Sequence, residues 1–202
     1  MSETRSDVTV KALDEISPPT TRARIVAASF ELFLRHGFDG TGLSQILDAT
    51  GLSKGAFYHY FPSKDAVYLE VIEAFFLKPV RGFDFDGFDA QHLRDSRNIL
   101  AGAYGELPGA VAAAGIDMAR YFALFFEAFS RLDEFRDEMR SYYRALLGSL
   151  ARRSYEEHEI VPSAAASHAI NVIATLEGRL FLNAVFGAEG IGPLLSETKA
   201  AE

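Results

Sequence analysis

Cysteine is absent from all 202 residues. This excludes disulfides and thiolate metal sites. No unbroken apolar run approaches the ~18 residues that a membrane-crossing helix needs. The opening residues, Met1-Ser2-Glu3-Thr4-Arg5, lack the apolar stretch of a signal peptide. A cytoplasmic protein without membrane contact is expected. Strand-like alternation is nowhere convincing, so the fold class is all-α. No nucleophile elbow or glycine-rich phosphate loop occurs. The five histidines (His36, His59, His92, His158 and His168) are scattered along the chain. Glu156-Glu157-His158-Glu159 clusters charge, but neighbours on a helix point in different directions, so a charged helix end is expected rather than a metal site. Neither catalysis nor a cofactor is expected.

Positive charge is also in short supply, with a formal net charge of −8. Its distribution matters more than its sum. Residues 20–65 hold five basic and four acidic side chains, whereas residues 66–202 hold 13 basic and 20 acidic. A near-neutral head is thus followed by an acidic body. Such a body repels non-specific DNA, so any DNA binding must come from a well-placed local surface. The expected organisation is a mobile polar arm (1–19), a head (20–65) and a helical body (66–202).

About half of the residues are apolar, enough for a substantial core. Thr20 or Thr21 can cap a first helix carrying Ile25, Ala28, Leu32 and Phe33 at steps of three and four, ending at Gly37. Thr41 can cap a second helix, from Leu43 to about Thr50, closed by Gly51. Ser53 caps a third, to about Phe61. Ser63 caps a fourth beyond Pro62, running to about Lys78 with Asp65 in its first turn. A loop is expected over 78–89. Further helices are expected near 90–104, 108–114, 117–131, 133–157 and 163–187, with breaks at Gly105 to Pro108, Gly115, Leu132-Asp133 and Val161-Pro162.

The segment from Gly51 to Tyr68 is the most informative. A short helix rich in Lys, Tyr and His has little apolar surface to bury, so it suits insertion into another surface. Two helices joined by Gly51-Leu52-Ser53 fit a helix-turn-helix, whose second helix enters the DNA major groove with its N-terminal residues foremost. Lys54 reaches a guanine edge or a phosphate. Gly55 and Ala56 permit close approach, and Tyr58, His59 and Tyr60 offer donors to phosphate oxygens. Thr41 and the free N–H groups at the start of the second helix can hold phosphate, and Lys64 can clamp the flanking backbone. An ordinary helical hairpin with a solvated polar face would share this spacing.

Residues 21–68 resemble the DNA-binding region of the TetR family of bacterial transcriptional regulators. The resemblance rests on Ile25 through Phe33, Gly37-Phe38, Thr41, Ile46, Gly51-Leu52-Ser53-Lys54-Gly55, Phe57-Tyr58-His59-Tyr60-Phe61 and Lys64-Asp65. It implies a homodimer on double-stranded, palindromic operator DNA, usually acting as a repressor and released by a small molecule. It also implies DNA contacts by Lys54, Gly55, Tyr58, His59 and Lys64, beside Thr41 and the capping Ser53, with Phe57 and Phe61 in the core. Gly42 departs from the family's usual Ser or Thr, and Leu47 and Thr50 replace small alanines.

In the body, Met118, Phe122, Phe125, Phe129 and Leu132 form one stripe, with Tyr121 and Phe126 at its edges. The next helix offers Phe135, Met139, Tyr142, Leu146 and Leu150. Most of these suit a core, yet aromatic walls between helices also build apolar ligand cavities. Phe122, Phe125, Tyr142, Leu146 and Glu177 are the candidate contacts for a bulky apolar or aromatic effector. Glu177 falls inside an apolar arc and needs a partner, either a structural hydrogen bond or a ligand group. On the same helix Ala174, Gly178, Phe181 and Val185 are candidates for a dimer interface, in which the resemblance pairs the last two long helices of each subunit. Glu127, with Arg131 at i+4, reads as a surface pair. The helix from Ser63 is the expected mechanical link between body and head. A helical small-molecule-binding protein without DNA function, and a TetR-like activator or ligand-independent regulator, are the alternatives.

Overall fold

A computed structural model describes residues 20–158 and 160–187. The expected arm, 1–19, and Glu159 of the charged cluster lie outside the described residues. All regular structure among the described residues is helical. The head comprises α1 (Thr21–Gly40), α2 (Leu43–Thr50) and α3 (Lys54–Tyr60). It continues into α4 (Lys64–Ile72), a π-helical turn (Glu73–Leu77) and α5 (Lys78–Arg81). The body adds α6 (Phe85–Asp89), α7 (Leu93–Ala113), α8 (Met118–Arg131), α9 (Asp133–His158) and α10 (Pro162–Phe186).

Side-chain caps set most of the head's boundaries. The hydroxyls of Thr20, Ser53 and Ser63 accept from the amides of Ala23, Ala56 and Ala66, each satisfying a donor that the first helical turn leaves free. Gly51 closes α2 in the left-handed region, at φ 67°, which a side chain would resist. Thr41 does not cap α2. Gly42 takes that position, and Gln45 Oε1 accepts from its amide at 2.6 Å. The first helix also continues beyond Gly37, which kinks it at φ 71° and ψ 173°.

The core is continuous across residue 65. Phe30 of α1 stacks on Phe75 of the π-helical turn with ring centroids 3.6 Å apart, and Phe33 and Phe38 meet Tyr68 of α4 edge-on. The expected boundary therefore falls inside the first turn of a helix that belongs to both parts.

Helix extends into two stretches where it is not expected. Helix persists past Pro79, which sits in the first turn of α5, where its missing N–H costs little. The expected loop over 78–89 holds α5 and α6, the latter capped by Asp84. Pro108 lies inside a single α7, because Leu100, Ala103, Tyr104, Leu107 and Val111 bury one unbroken stripe through it. That packing outweighs the roughly 3 kcal/mol a mid-helix proline costs. α8 then turns away from α7 by 105°.

α9 and α10 pack side by side over much of their length. By length and composition α10 is apolar enough to cross a membrane, a property that counting unbroken apolar runs overlooks. Here its Ala165, Ala169, Ile173, Leu176 and Leu180 are buried in the fold. The buried stripe of α8 is Met118, Tyr121, Leu124 and Ala128. This displaces the expected stripe, so Phe122, Phe125 and Phe129 are only partly covered.

Candidate nucleic-acid interface and effector cavity

α3 divides cleanly into two sides. Phe57 and the following Phe61 are 0% and 1% exposed, whereas Tyr58 is 46% exposed. Ser53, Lys54, Gly55 and His59 are also exposed. A Cβ added at Gly55 would meet no protein atom within 4 Å. Glycine costs a helix about 1 kcal/mol relative to alanine, and among the described residues no close packing requires it there.

The helix is held from behind by α1. Arg22 Nη1 donates to the carbonyl of Tyr60 at 2.8 Å, its Nε donates to Glu70 Oε1 at 2.8 Å, and its guanidinium lies over the Phe61 ring. Arg24 Nη2 donates to the carbonyl of Thr50 at 2.9 Å. The two arginines thus satisfy carbonyls at the C-terminal ends of α3 and α2. In the sequence they stand out only as head charge, because their partners lie 38 and 26 residues away.

Two expected phosphate contacts are placed otherwise. Lys64 Nζ donates to the carbonyls of Phe38 and Thr41 at 2.6 and 2.8 Å and sits 4.0 Å from the Phe38 ring centre. It ties α4 to the end of α1. Thr41 is fully buried, and its hydroxyl donates to the carbonyls of Gly37 and Leu32 at 2.8 and 3.2 Å. A buried side chain satisfied in this way is not presented to a phosphate.

The head is also fastened to α8. Both Glu127 carboxylate oxygens accept from the Phe38 amide, at 3.2 and 3.1 Å. Arg131 pairs with Asp39 and with Glu127, the latter at 3.3 Å. Arg120 Nη1 donates to the carbonyl of Arg35 at 2.6 Å. Glu127 is therefore a junction residue as well as the surface partner of Arg131. Burial, and next the Glu127 charge, push the nearby Tyr68 phenol well above its ordinary pKa.

A cavity of about 370 Å³ opens between α7, α8, α9 and α10. Phe122, Phe125 and Glu177 line it as expected, joined by Phe126, Phe129 and Tyr143. Tyr142 and Leu146 are instead buried core residues, and Tyr142 packs against Phe83 and Phe85. Tyr104 donates to Glu177 Oε1 at 2.7 Å, and Tyr143 donates to the same oxygen. A more open groove of about 710 Å³ lies between α4 with the π-helical turn and the α8–α9 junction. Glu73 and Glu134 line it, and Arg81 pairs with them at 2.6 and 3.0 Å and with Glu138 at 3.0 Å.

An apolar strip stays exposed on α10: Ile170, Phe181, Leu182, Val185 and Phe186. Ala174 is exposed beside it, and Gly178 is half-buried with open space where a side chain would stand.

Fold and site together define a helix-turn-helix protein whose head rests on a helical body containing a cavity. Residues 25–71 match the family model described as bacterial regulatory proteins, tetR family. The head is thus similar to the DNA-binding region of that family. It is 43% identical over 53 residues to the HTH-type transcriptional repressor NemR of Escherichia coli K12, covering 26% of this chain and 27% of NemR. It is 38% identical over 65 residues to the HTH-type transcriptional regulator RutR of the same strain, covering 31% of each. The similarity thus spans less than a third of these relatives. At the level of fold it extends further. A transcriptional regulator from Aquifex aeolicus VF5 superposes with a TM-score of 0.56 at 21% identity, over 84% of this chain and 87% of that one. NemR in its reduced form gives 0.55 at 21% identity, over 87% and 92%.

Proposed function

We propose that this protein is a ligand-responsive transcriptional regulator, a repressor that binds a palindromic operator as a homodimer and leaves it when a small apolar or aromatic molecule binds in the body. One observation carries the DNA reading. α3 anchors Phe57 and Phe61 in the core while it exposes Lys54, Gly55, Tyr58 and His59. A side chain that only filled a solvated hairpin would not need arginines from α1 holding the helix ends behind it. Ser53 caps the helix and leaves its first turn pointing outward, as major-groove entry requires.

The apolar strip of α10 supports the dimer. Phe181 and Val185 are 62% and 60% exposed, and contiguous exposed apolar surface marks a partner. A two-fold pair of such helices would present two copies of α3. They read DNA together when ~34–36 Å, or a multiple of it, separates them. A ligand in the α7–α10 cavity presses on α8, and α8 grips Phe38 and Asp39 of the head. To reverse a 99:1 preference for the DNA-bound arrangement, the ligand must favour the other by ~5.5 kcal/mol.

Selection of bound DNA from random sequence tests this reading, followed by gel-shift titration of the selected site. The expected site has dyad symmetry, and Tyr58→Ala weakens its binding by roughly tenfold with the helical circular dichroism unchanged. Unchanged affinity in Tyr58→Ala would remove the role given to α3.

A further inference from the structure

The α7–α10 cavity holds one carboxylate among aromatic rings. Phe122, Phe125, Phe129 and Tyr143 line it together with Glu177. The Tyr104 and Tyr143 hydroxyls both donate to Glu177 Oε1. Two phenols converging on one oxygen fix the carboxylate in the wall and leave Oε2 for another donor. Arg140 also reaches the lining, but its guanidinium pairs with Asp137 at 3.2 Å and its side chain is 59% exposed. Its charge is held by Asp137, and among the described residues no ion pair joins it to Glu177.

We propose that this cavity takes an organic ammonium, a monocation with an aromatic or alicyclic body, its charge beside Glu177 and its body among the phenyl rings. The inference rests on the reading of the cavity as the effector site and specifies what that site selects. A neutral apolar ligand would strip water from Oε2 and give nothing in return, which is costly for a carboxylate. An anion would add repulsion. A cation compensates the carboxylate, and ring faces attract it further by their quadrupoles, more strongly once water is excluded. At about 370 Å³ the cavity suits a small molecule rather than a peptide or a long acyl chain.

The test uses the full chain and two probes of the same shape. Benzyltrimethylammonium carries the charge, and neopentylbenzene replaces its nitrogen with carbon. Affinities are measured by ligand-observed NMR for the wild type and for Glu177→Gln, whose amide oxygen can still accept from the two tyrosines. The wild type is expected to hold the cation roughly tenfold tighter than the hydrocarbon, and Glu177→Gln to abolish that preference. If the hydrocarbon binds as tightly as the cation, the ammonium inference falls while the apolar effector site stands. A cation preference that survives in Glu177→Gln also overturns it. If neither probe binds, the cavity itself loses its role. The wild-type comparison needs no variant, so a folding defect in Glu177→Gln cannot shield the proposal.

Discussion

Lys54 and Lys64 both open a helix beside the turn, yet their ammonium groups face different oxygens. Lys54 is exposed at the start of α3, whereas Lys64 is spent on the carbonyls of Phe38 and Thr41. Lys54→Ala should flatten the dependence of log K on log salt by roughly two per dimer, one phosphate per protomer. Uniform weakening across operator variants would assign it to phosphate, and loss of discrimination at one base pair would assign it to base reading. Lys64→Met should instead lower stability in urea by about 1–2 kcal/mol and leave the salt slope unchanged. A flattened slope in Lys64→Met would mean that its ammonium leaves the carbonyls for the DNA backbone. Position near the turn was readable from sequence, and so were the caps Ser53 and Ser63. Which oxygen each cation meets was not. Arg22 and Arg24 find theirs 38 and 26 residues away, a distance that no local pattern encodes.

Among the elements, α8 joins cavity to head. Phe122, Phe125 and Phe129 line the cavity, and Glu127 and Arg131 reach Phe38 and Asp39. Glu127→Ala removes the acceptor of the Phe38 amide. It should leave ligand binding intact and reduce the change in DNA affinity that ligand produces, measured as the operator dose response with and without saturating ligand. Full retention of that response would place the coupling in α4 alone, the link expected from sequence. The amphipathic character of α8 was legible, but its orientation was not. Its core stripe is Met118, Tyr121, Leu124 and Ala128. The Phe stripe beside it is left at the cavity edge. The density of aromatic rings alone points to the reverse. Pro108 misled for a related reason, since local chemistry marks a break that the packing of α7 overrides.

For the whole molecule, the issue is whether two heads act together. Phe181→Asp places a charge on the exposed strip of α10 without entering the core. It should yield a folded monomer by sedimentation and a large loss of operator affinity, because each half-site would be held alone. A Phe181→Asp protein that remains dimeric would locate the interface elsewhere. The all-α plan and the head were legible because caps, a left-handed Gly51 and helical periodicity are local signals. The body's arrangement was less so, because which helices pair depends on contacts far apart in sequence. One consequence lies in the two sides of α8. At 3.6 residues per turn, its Phe122, Phe125 and Phe129 point roughly away from Glu127 and Arg131. If the cavity is the effector site proposed above, the choice of signal and the output it drives are written on separate surfaces of one rod. Substitutions among the rings would then retune what is sensed while the grip on the head stays as it is.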